Sequence, residues 1–153
     1  MVEYERGDSM FIGEYQHSMD AKGRVIMPSK FRDDLGSTFY VTKGMENCLF
    51  IFDNDEWDDL AVKINSMNQL SRKEARGFAR LFYAGASAME TDKQGRILIP
   101  SNLREYAKLD KEVYIIGVAK RIEIWSKENW ENYNDDDFLN YERLTEKMVD
   151  LNL

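Results

Sequence analysis

An internal repeat restricts the fold of this chain more than any other feature of its sequence. Residues 20–32 (DAKGRVIMPSKFR) recur as residues 92–104 (DKQGRILIPSNLR), with the Asp, Gly, Arg, Pro, Ser and final Arg unchanged. The same register relates further segments on either side: 11–13 to 83–85, 39–41 to 113–115, 49–52 to 122–125, and Trp57 to Trp130. A register kept over so many segments predicts two copies of one structural unit.

Each copy is expected to run strand, turn, strand, helix, strand, strand, helix. The Asp-x-x-Gly segments predict hairpin turns, because Asp accepts hydrogen bonds within its own turn and Gly supplies a positive φ. The turn-forming residues are Asp20, Gly23, Asp92 and Gly95. A short apolar strand follows each turn and ends at a Pro-Ser pair, where Pro suits the first turn of a helix and Ser its cap. The pattern predicts the α+β fold class.

The periodicity divides the chain into five segments. We expect an N-terminal extension at 1–9, a first half-unit at 10–66, a connecting helix at 67–83, a second half-unit at 84–133 and a C-terminal helix at 134–153. The connecting helix should begin at the Ser-Arg-Lys-Glu segment of residues 71–74, which has the spacing of a capping box. The C-terminal helix should pack its apolar stripe on its own chain or on a neighbouring subunit. The stripe comprises Phe138, Tyr141, Leu144, Met148 and Leu151.

The composition indicates a soluble, cytoplasmic protein. Hydrophobic residues make up 43% of the chain and charged residues 32%, which is ordinary for a globular domain. The single Cys48 excludes an intrachain disulfide and suits a reducing cytosol. No apolar run reaches the ~20 residues of a membrane-spanning helix, so we expect no membrane partner. The net charge of −7, taken alone, argues against a nucleic-acid partner.

The charges are unevenly distributed, and the distribution matters more than the total, because screening confines each cluster's field to its own neighbourhood. Acidic residues cluster at 53–59 and 135–137. The two repeated segments are basic instead, and they suggest a local surface that could meet DNA. The residues that we expect at a DNA contact are Lys22, Arg24, Lys30, Arg32, Lys93, Arg96 and Arg104.

The arginine that follows each turn glycine is the strongest indication of function. Turn geometry requires Gly and favours Asp, but it does not require Arg24 or Arg96 at the next position. Two explanations are open: each Arg pairs with its own Asp, or both project from one surface towards an anion. Arg binds phosphate, or the O6 and N7 atoms of guanine, through two hydrogen bonds. The duplication and the neighbouring basic residues favour DNA contact.

Other candidate sites are weaker. His17 is the only histidine, and a histidine-based metal site or catalytic dyad lacks partners for it, so we expect a histidine on a strand surface. Cys48 precedes an apolar strand and is expected in the core. The carboxylates of residues 53–59 lie where a helix is expected to begin. There we expect them to stabilise the helix by interacting with its dipole, rather than to bind a metal ion. We therefore expect no enzyme activity, cofactor, metal or small-molecule substrate.

From Met10 to Leu153 the chain resembles the MraZ family. The resemblance rests on the opening Met10–Tyr15, on both Asp-x-x-Gly-Arg motifs with their Pro-Ser continuations, and on the two Trp-containing segments. It implies two AbrB-like (swapped-hairpin) half-units, and a transcription factor that binds repeated promoter elements of the division and cell-wall gene cluster. It also implies a homo-oligomeric ring, usually octameric or larger, nucleoid association, and DNA-contact roles for residues 20–24 and 92–96.

We expect the two half-units to interleave their strands into one pseudo-dimeric β-core, because neither half alone has enough surface to bury. This arrangement would bring both Arg turns to one edge. A head-to-tail ring would then present these edges with the same polarity and bind direct repeats about 10 base pairs apart. The alternative is an AbrB-like protein-interaction module such as an antitoxin. An antitoxin usually has one half-unit and a disordered tail, whereas this chain has two half-units.

Overall fold

The computed structural model describes residues 9–68, 70–137 and 139–148. Within these ranges the chain forms eight strands and six helices. The strands are β1 (Phe11–Ser18), β2 (Arg24–Ile26), β3 (Phe39–Lys43), β4 (Leu49–Asp53), β5 (Ser87–Met89), β6 (Arg96–Leu98), β7 (Glu112–Ala119) and β8 (Arg121–Ser126). The helices are α1 (Ser29–Leu35), α2 (Asn54–Asn65), α3 (Arg72–Ala84), α4 (Ser101–Tyr106), α5 (Lys127–Asn134) and α6 (Tyr141–Glu146).

The strands of the two halves interleave. A six-stranded antiparallel sheet has the order β1-β7-β8-β4-β3-β5, and β2 and β6 form a separate two-stranded sheet. In the large sheet the first strand of each half lies beside the third strand of the other half, as β1 with β7 and β5 with β3. The equivalent strands β4 and β8 pair at its centre. The pairing follows a pseudo-twofold axis, and it confirms the α+β class and the interleaved, pseudo-dimeric β-core.

Both halves contribute to one hydrophobic core. The inward residues of the small sheet, Val25 and Ile97, are 1% and 0% exposed. They belong to the same buried cluster as the central strands of the large sheet and the inner faces of α1 and α4. Further members of this cluster are Met27, Phe31, Leu49, Ile51, Ile99, Leu103, Ile122 and Ile124. Because the core is shared, the small sheet is held firmly against the large one.

The helices begin in two different ways. Asp53 accepts a hydrogen bond from the Glu56 N–H at 2.8 Å to cap α2, and Ser71 and Glu74 form the expected capping box of α3. The expectation that serine caps α1 and α4 is wrong. Pro28 and Pro100 occupy the N-cap positions themselves, and no side chain caps either helix. The serines are thus already the first helical residues, one position beyond the place where a cap acts.

The second copy departs from the repeat at its first strand. Residues 83–85 align with residues 11–13 at the start of β1, but Tyr83 and Ala84 belong to α3. Gly85 has a φ of −81° at the end of α3, whereas Gly13 has a φ of 107° inside β1. Because α3 occupies these positions, β5 has three residues where β1 has eight.

The C-terminal segment differs from the single helix expected over 134–153. In the described residues α5 ends at Asn134 and the six-residue α6 follows, capped by Asn140. The Asp and Asn residues between the two helices are poor helix formers that favour caps and turns. Tyr141 is 81% exposed and Met148 50% exposed, whereas Leu144 is half-buried, so the described part of the stripe packs on its own chain only in part. Phe138 and Leu151 lie outside the described residues, as do residues 1–8 of the expected extension.

Candidate nucleic-acid interface

The two Asp-x-x-Gly-Arg segments form matching turns. Asp20 Oδ1 accepts hydrogen bonds from the backbone N–H groups of Lys22 and Arg24 at 3.0 and 2.9 Å. In the second copy Asp92 Oδ1 accepts from the corresponding N–H groups of residues 94 and 96, both at 2.9 Å. The glycines have φ values of 89° and 78°, a region in which other residues are strained. Each turn thus uses its Asp and its Gly in the same way.

Each turn arginine is bound by its own aspartate. The Nε–H of Arg24 donates to Asp20 Oδ2 at 2.7 Å, and that of Arg96 donates to Asp92 Oδ2 at 2.8 Å. The backbone N–H of Arg24 lowers the pKa of Asp20 most, and the Arg24 side chain lowers it further, while desolvation opposes both effects. The pKa of Asp92 is lowered by the same contacts from Arg96. Both carboxylates are therefore ionised at neutral pH.

Both arginines also lie on one face of the small sheet. The strand register pairs Arg24 with Leu98 and Ile26 with Arg96, while Val25 and Ile97 point into the core. Because side chains alternate along a strand, Arg24, Ile26, Arg96 and Leu98 share the outer face, which we call the ribbon face. The two explanations left open by the sequence are therefore compatible, since Asp binds Nε and both guanidinium groups project from one surface. Among the described residues, no group binds their terminal Nη1 and Nη2 atoms.

The remaining basic residues fall into two groups. Lys22, Lys93 and Lys30 are exposed, the first two on the turns and the third on α1. Arg32 and Arg104 are half-buried, because each packs against the turn of the other half. A Cβ added at Gly23 would lie 2.8 Å from Arg104 Cζ, and one added at Gly95 would overlap the Arg32 guanidinium. These two arginines support the turns in addition to adding charge near them.

This cross-support extends to the backbone. The N–H of Met27 donates to the carbonyl of Gly95, and the N–H of Ile99 donates to the carbonyl of Gly23, both at 2.9 Å. Arg104 Nε is buried and has no hydrogen-bond partner among the described residues. Each turn is therefore also held in place by contacts from the other half. The sequence did not indicate these contacts, because they cross the pseudo-twofold axis.

Two apolar members of the ribbon face were not expected from the sequence. Ile26 and Leu98 are 46% and 58% exposed although they lie in the middle of the basic region. The signal that could have found them is the strand period of two, since each lies two residues after a turn arginine.

The other candidate residues have structural surroundings. His17 lies on β1 opposite Val113, and the only cysteine, Cys48, is buried. Burial raises the pKa of the Cys48 thiol, and the nearby Glu123 carboxylate raises it further. In the ranges that the structure covers, no three His, Cys, Asp or Glu residues are grouped so that they could hold a metal ion. None of the described helices has the length and apolar character needed to cross a bilayer.

Comparison with known proteins reproduces the repeat. The family described as "MraZ protein, putative antitoxin-like" matches the chain twice, at residues 10–81 and 82–152. The chain belongs to the MraZ family. Two consecutive matches, each covering one set of four strands, agree with the two halves of the MraZ fold described above.

Several bacterial relatives of the MraZ family match nearly the whole chain. One from Acetivibrio thermocellus is 56% identical over 144 residues, which are 94% of this chain and 100% of that protein. One from Desulforamulus reducens is 53% identical over 142 residues, 93% of this chain and 99% of that protein. One from Finegoldia magna is 55% identical over 144 residues, with coverage of 94% and 100%. Each is named "Transcriptional regulator MraZ".

Proposed function

We propose that this chain is a sequence-specific DNA-binding transcriptional regulator and that the ribbon face is its DNA-contact surface. The observation that carries the proposal is the presence of two aspartate-bound arginines on one face, with side chains 32% and 27% exposed. A two-stranded β-ribbon can enter the major groove of B-DNA. The names of the relatives support the regulatory role.

The aspartates orient the arginines for this task. With Nε bound to Asp20 or Asp92, the guanidinium plane has fewer orientations, and Nη1 and Nη2 are left to bind other groups. A group that is already ordered loses less conformational entropy on binding. The two Nη donors of each arginine can then bind guanine O6 and N7, or a phosphate. Lys22, Lys93 and Lys30 add phosphate contacts that position the protein on the duplex.

The net charge of −7 is compatible with DNA binding because many of the acidic residues lie elsewhere. Asp53 caps α2, and Asp55, Asp58 and Asp59 follow on the same helix, which packs against β3 and β4. The small sheet and its turns bear Lys22, Lys93 and the arginines of the ribbon face, and Lys30 lies on α1. At physiological salt the Debye length is about 8 Å, so distant carboxylates weaken the local positive field only slightly.

Assembly and operator form the finer part of the proposal. We infer a homo-oligomeric ring, octameric or similar, in which neighbouring subunits meet head to tail. Exposed apolar side chains on α3 and α6 support such subunit contacts, including Phe78 at 41%, Leu81 at 67% and Tyr141 at 81% exposure. A head-to-tail ring presents successive ribbon faces with one polarity, which suits direct repeats spaced by about one helical turn, ~10 base pairs. We place these repeats upstream of the division and cell-wall gene cluster, and the protein on the nucleoid in the cytoplasm.

A closed ring is convex, whereas an unbound duplex is nearly straight. Several subunits can reach adjacent repeats only if the DNA bends or the ring opens. Bending a site of this length costs on the order of a few kcal/mol. Binding of several repeats should therefore be cooperative only when the additional protein–DNA interactions outweigh that cost.

The first experiment measures binding to the DNA upstream of the protein's own gene by mobility shift. Changing Arg24→Ala or Arg96→Ala should weaken binding by about 1–3 kcal/mol and leave the melting temperature nearly unchanged. Arg72→Ala and Arg80→Ala, each made singly, are the charge-matched controls, because both of these exposed arginines lie on α3. Unchanged DNA affinity with a melting temperature several degrees lower would show that the turn arginines serve the fold alone.

The second experiment tests the ring and the direct repeats. Footprinting on the upstream DNA should protect several elements of one polarity. Inserting half a helical turn, about 5 base pairs, between two elements should disrupt cooperative binding, because it moves one of them to the opposite face. Protection of one palindrome, or indifference to the insertion, would contradict the head-to-tail arrangement while leaving DNA binding itself intact.

The words "antitoxin-like" in the family description keep a second candidate function open. Under this alternative the exposed apolar faces of α3 and α6 bind a toxin-like protein partner. The exposed side chains Phe78, Leu81 and Tyr141 would then be buried by that partner. Failure of the purified protein to retard its upstream DNA at low salt, where phosphate contacts are strongest, would favour this alternative.

A further inference from the structure

Two aliphatic side chains lie exposed on the ribbon face. Ile26 is 46% exposed and Leu98 is 58% exposed, whereas Val25 and Ile97 on the opposite side are 1% and 0% exposed. The two exposed residues occupy equivalent positions in the two copies, each two residues after its turn arginine. Both copies of the repeat thus place an apolar side chain on a basic, solvent-facing surface. Packing in the core does not explain these two side chains.

The strand register places each of these residues directly beside an arginine of the other half. Ile26 pairs with Arg96, and Leu98 pairs with Arg24. Side chains that face each other across antiparallel strands have Cβ atoms roughly 5 Å apart. The ribbon face thus presents two units, each made of one arginine and one aliphatic side chain, related by the pseudo-twofold axis.

We propose that Ile26 and Leu98 are specificity-determining residues that contact thymine methyl groups in the major groove. This inference rests on the proposed function. Thymine is the base that presents a methyl group in that groove, and apolar side chains recognise it by contact. A Cβ separation of roughly 5 Å corresponds to one or two base-pair steps of about 3.4 Å. Each unit should therefore recognise a thymine within about two base pairs of the guanine bound by its arginine.

The charge of the ribbon face favours DNA as its occupant over a second copy of the chain. Packing two ribbon faces together would bring together four arginines, each bound to one aspartate, and the exposed lysines of the adjoining turns. Among the described residues, no carboxylate is paired with Lys22 or Lys93, so their charges would repel across such an interface. Like charges across an interface are strongly unfavourable. A polyanion with apolar groups in its groove matches both components of this face.

The test removes the methyl groups without changing the protein. Duplexes of the upstream DNA are prepared with deoxyuridine in place of thymidine, which keeps base pairing and removes only the 5-methyl group. The full-length protein should bind the deoxyuridine duplex about fourfold more weakly for each methyl group that it touches, the equivalent of one buried methylene. The variant Ile26→Ala with Leu98→Ala should bind the ordinary duplex with a similar loss and should not distinguish the two duplexes.

The variant Ile12→Ala is the control, because Ile12 is an aliphatic residue 70% exposed on another strand, and it should behave as the unmodified protein. Equal binding of both duplexes by the unmodified protein, with a loss for Arg24→Ala, would overturn this inference and leave the proposed function standing. If replacing thymidine with deoxyuridine weakens binding by the double alanine variant as much as it weakens binding by the unmodified protein, Ile26 and Leu98 do not recognise the methyl groups. If none of these changes alters DNA binding, Arg24→Ala included, the proposed function itself is overturned.

Discussion

The turns at residues 20–24 and 92–96 have the same structure but different charges. In both, the Asp carboxylate accepts two backbone N–H groups and binds the Nε of the arginine four residues later at 2.7 or 2.8 Å. The two exposed residues between Asp and Gly differ, being Ala-Lys in the first turn and Lys-Gln in the second. The same contacts of Asp, Gly and Arg hold both turns, while the residues at the two central positions differ, so under the proposed function the two turns should contact DNA unequally.

The largest expected effect concerns the glycines and the arginines that cover them. Changing Gly95→Ala should lower the free energy of unfolding by about 2 kcal/mol, because the added Cβ strains a positive φ and displaces the Arg32 guanidinium. Gly36→Ala tests backbone strain alone, since nothing lies within 4 Å of the added Cβ. Its φ of 76° and ψ of −167° belong to a region that almost only glycine adopts, so the strain there should cost about 1–3 kcal/mol. Chemical denaturation measures both.

Removing the covering arginine should reduce the cost of Gly95→Ala to its backbone strain. In an Arg32→Ala background, Gly95→Ala should cost less than in the unmodified protein, because the displaced group is no longer present. If Gly95→Ala keeps its larger cost in that background, the contact with Arg32 does not determine the stability of the second turn.

A smaller effect should follow from exchanging the central turn residues. Lys22→Gln should reduce the slope of log affinity against log salt by about 1, because the protein then neutralises one phosphate fewer. Gln94→Lys should raise the slope by a similar amount and make the second turn resemble the first. The measurement is a salt titration of affinity for the upstream DNA. Equal slopes for all three proteins would show that these positions do not touch the phosphates.

The smallest effect concerns acid. The folded pKa values of Asp20 and Asp92 lie below their ordinary value of 3.8, so each carboxylate stabilises the fold above that pH. The stabilisation is lost as the pH falls through the lower folded pKa. Asp20→Asn with Asp92→Asn should therefore melt lower than the unmodified protein at neutral pH, and the difference in melting temperature should shrink as the pH falls below the ordinary pKa of 3.8. A difference in melting temperature that does not change with pH would show that the hydrogen bonds of Asp20 and Asp92, and not their charge, stabilise the fold.

The repeat made much of the fold predictable. Turn chemistry depends on a few neighbouring residues, so Asp20, Gly23 and their second-copy equivalents could be located from spacing alone. The halves were expected to interleave because each is too small to bury its own core. The capping box at Ser71 and Glu74 is equally local, and it also lies where the sequence indicates.

The contacts that cross between the halves were not predictable. Arg32 reaches Gly95, and Arg104 reaches Gly23. The two residues of each pair are far apart in sequence, so local sequence patterns cannot predict these contacts. At the C-terminus the apolar spacing predicted one helix, but the Asp and Asn residues before α6 interrupt it. Apolar spacing indicates a possible helix face, whereas capping residues decide where the helix starts. Whether the seven basic residues contact DNA stays a prediction.

The most direct test of the ribbon face is cleavage of DNA from defined points on the protein. Lys22→Cys and Lys93→Cys each place an exposed thiol on a turn, and Val62→Cys places one on α2, at a side chain 68% exposed. The native Cys48 is 1% exposed and should not react with an iron chelate that labels exposed thiols. Chelates at 22 and 93 should cleave the upstream DNA within the protected elements, and the chelate at 62 should not. Cleavage from position 62 with none from 22 or 93 would show that DNA binds elsewhere on the molecule.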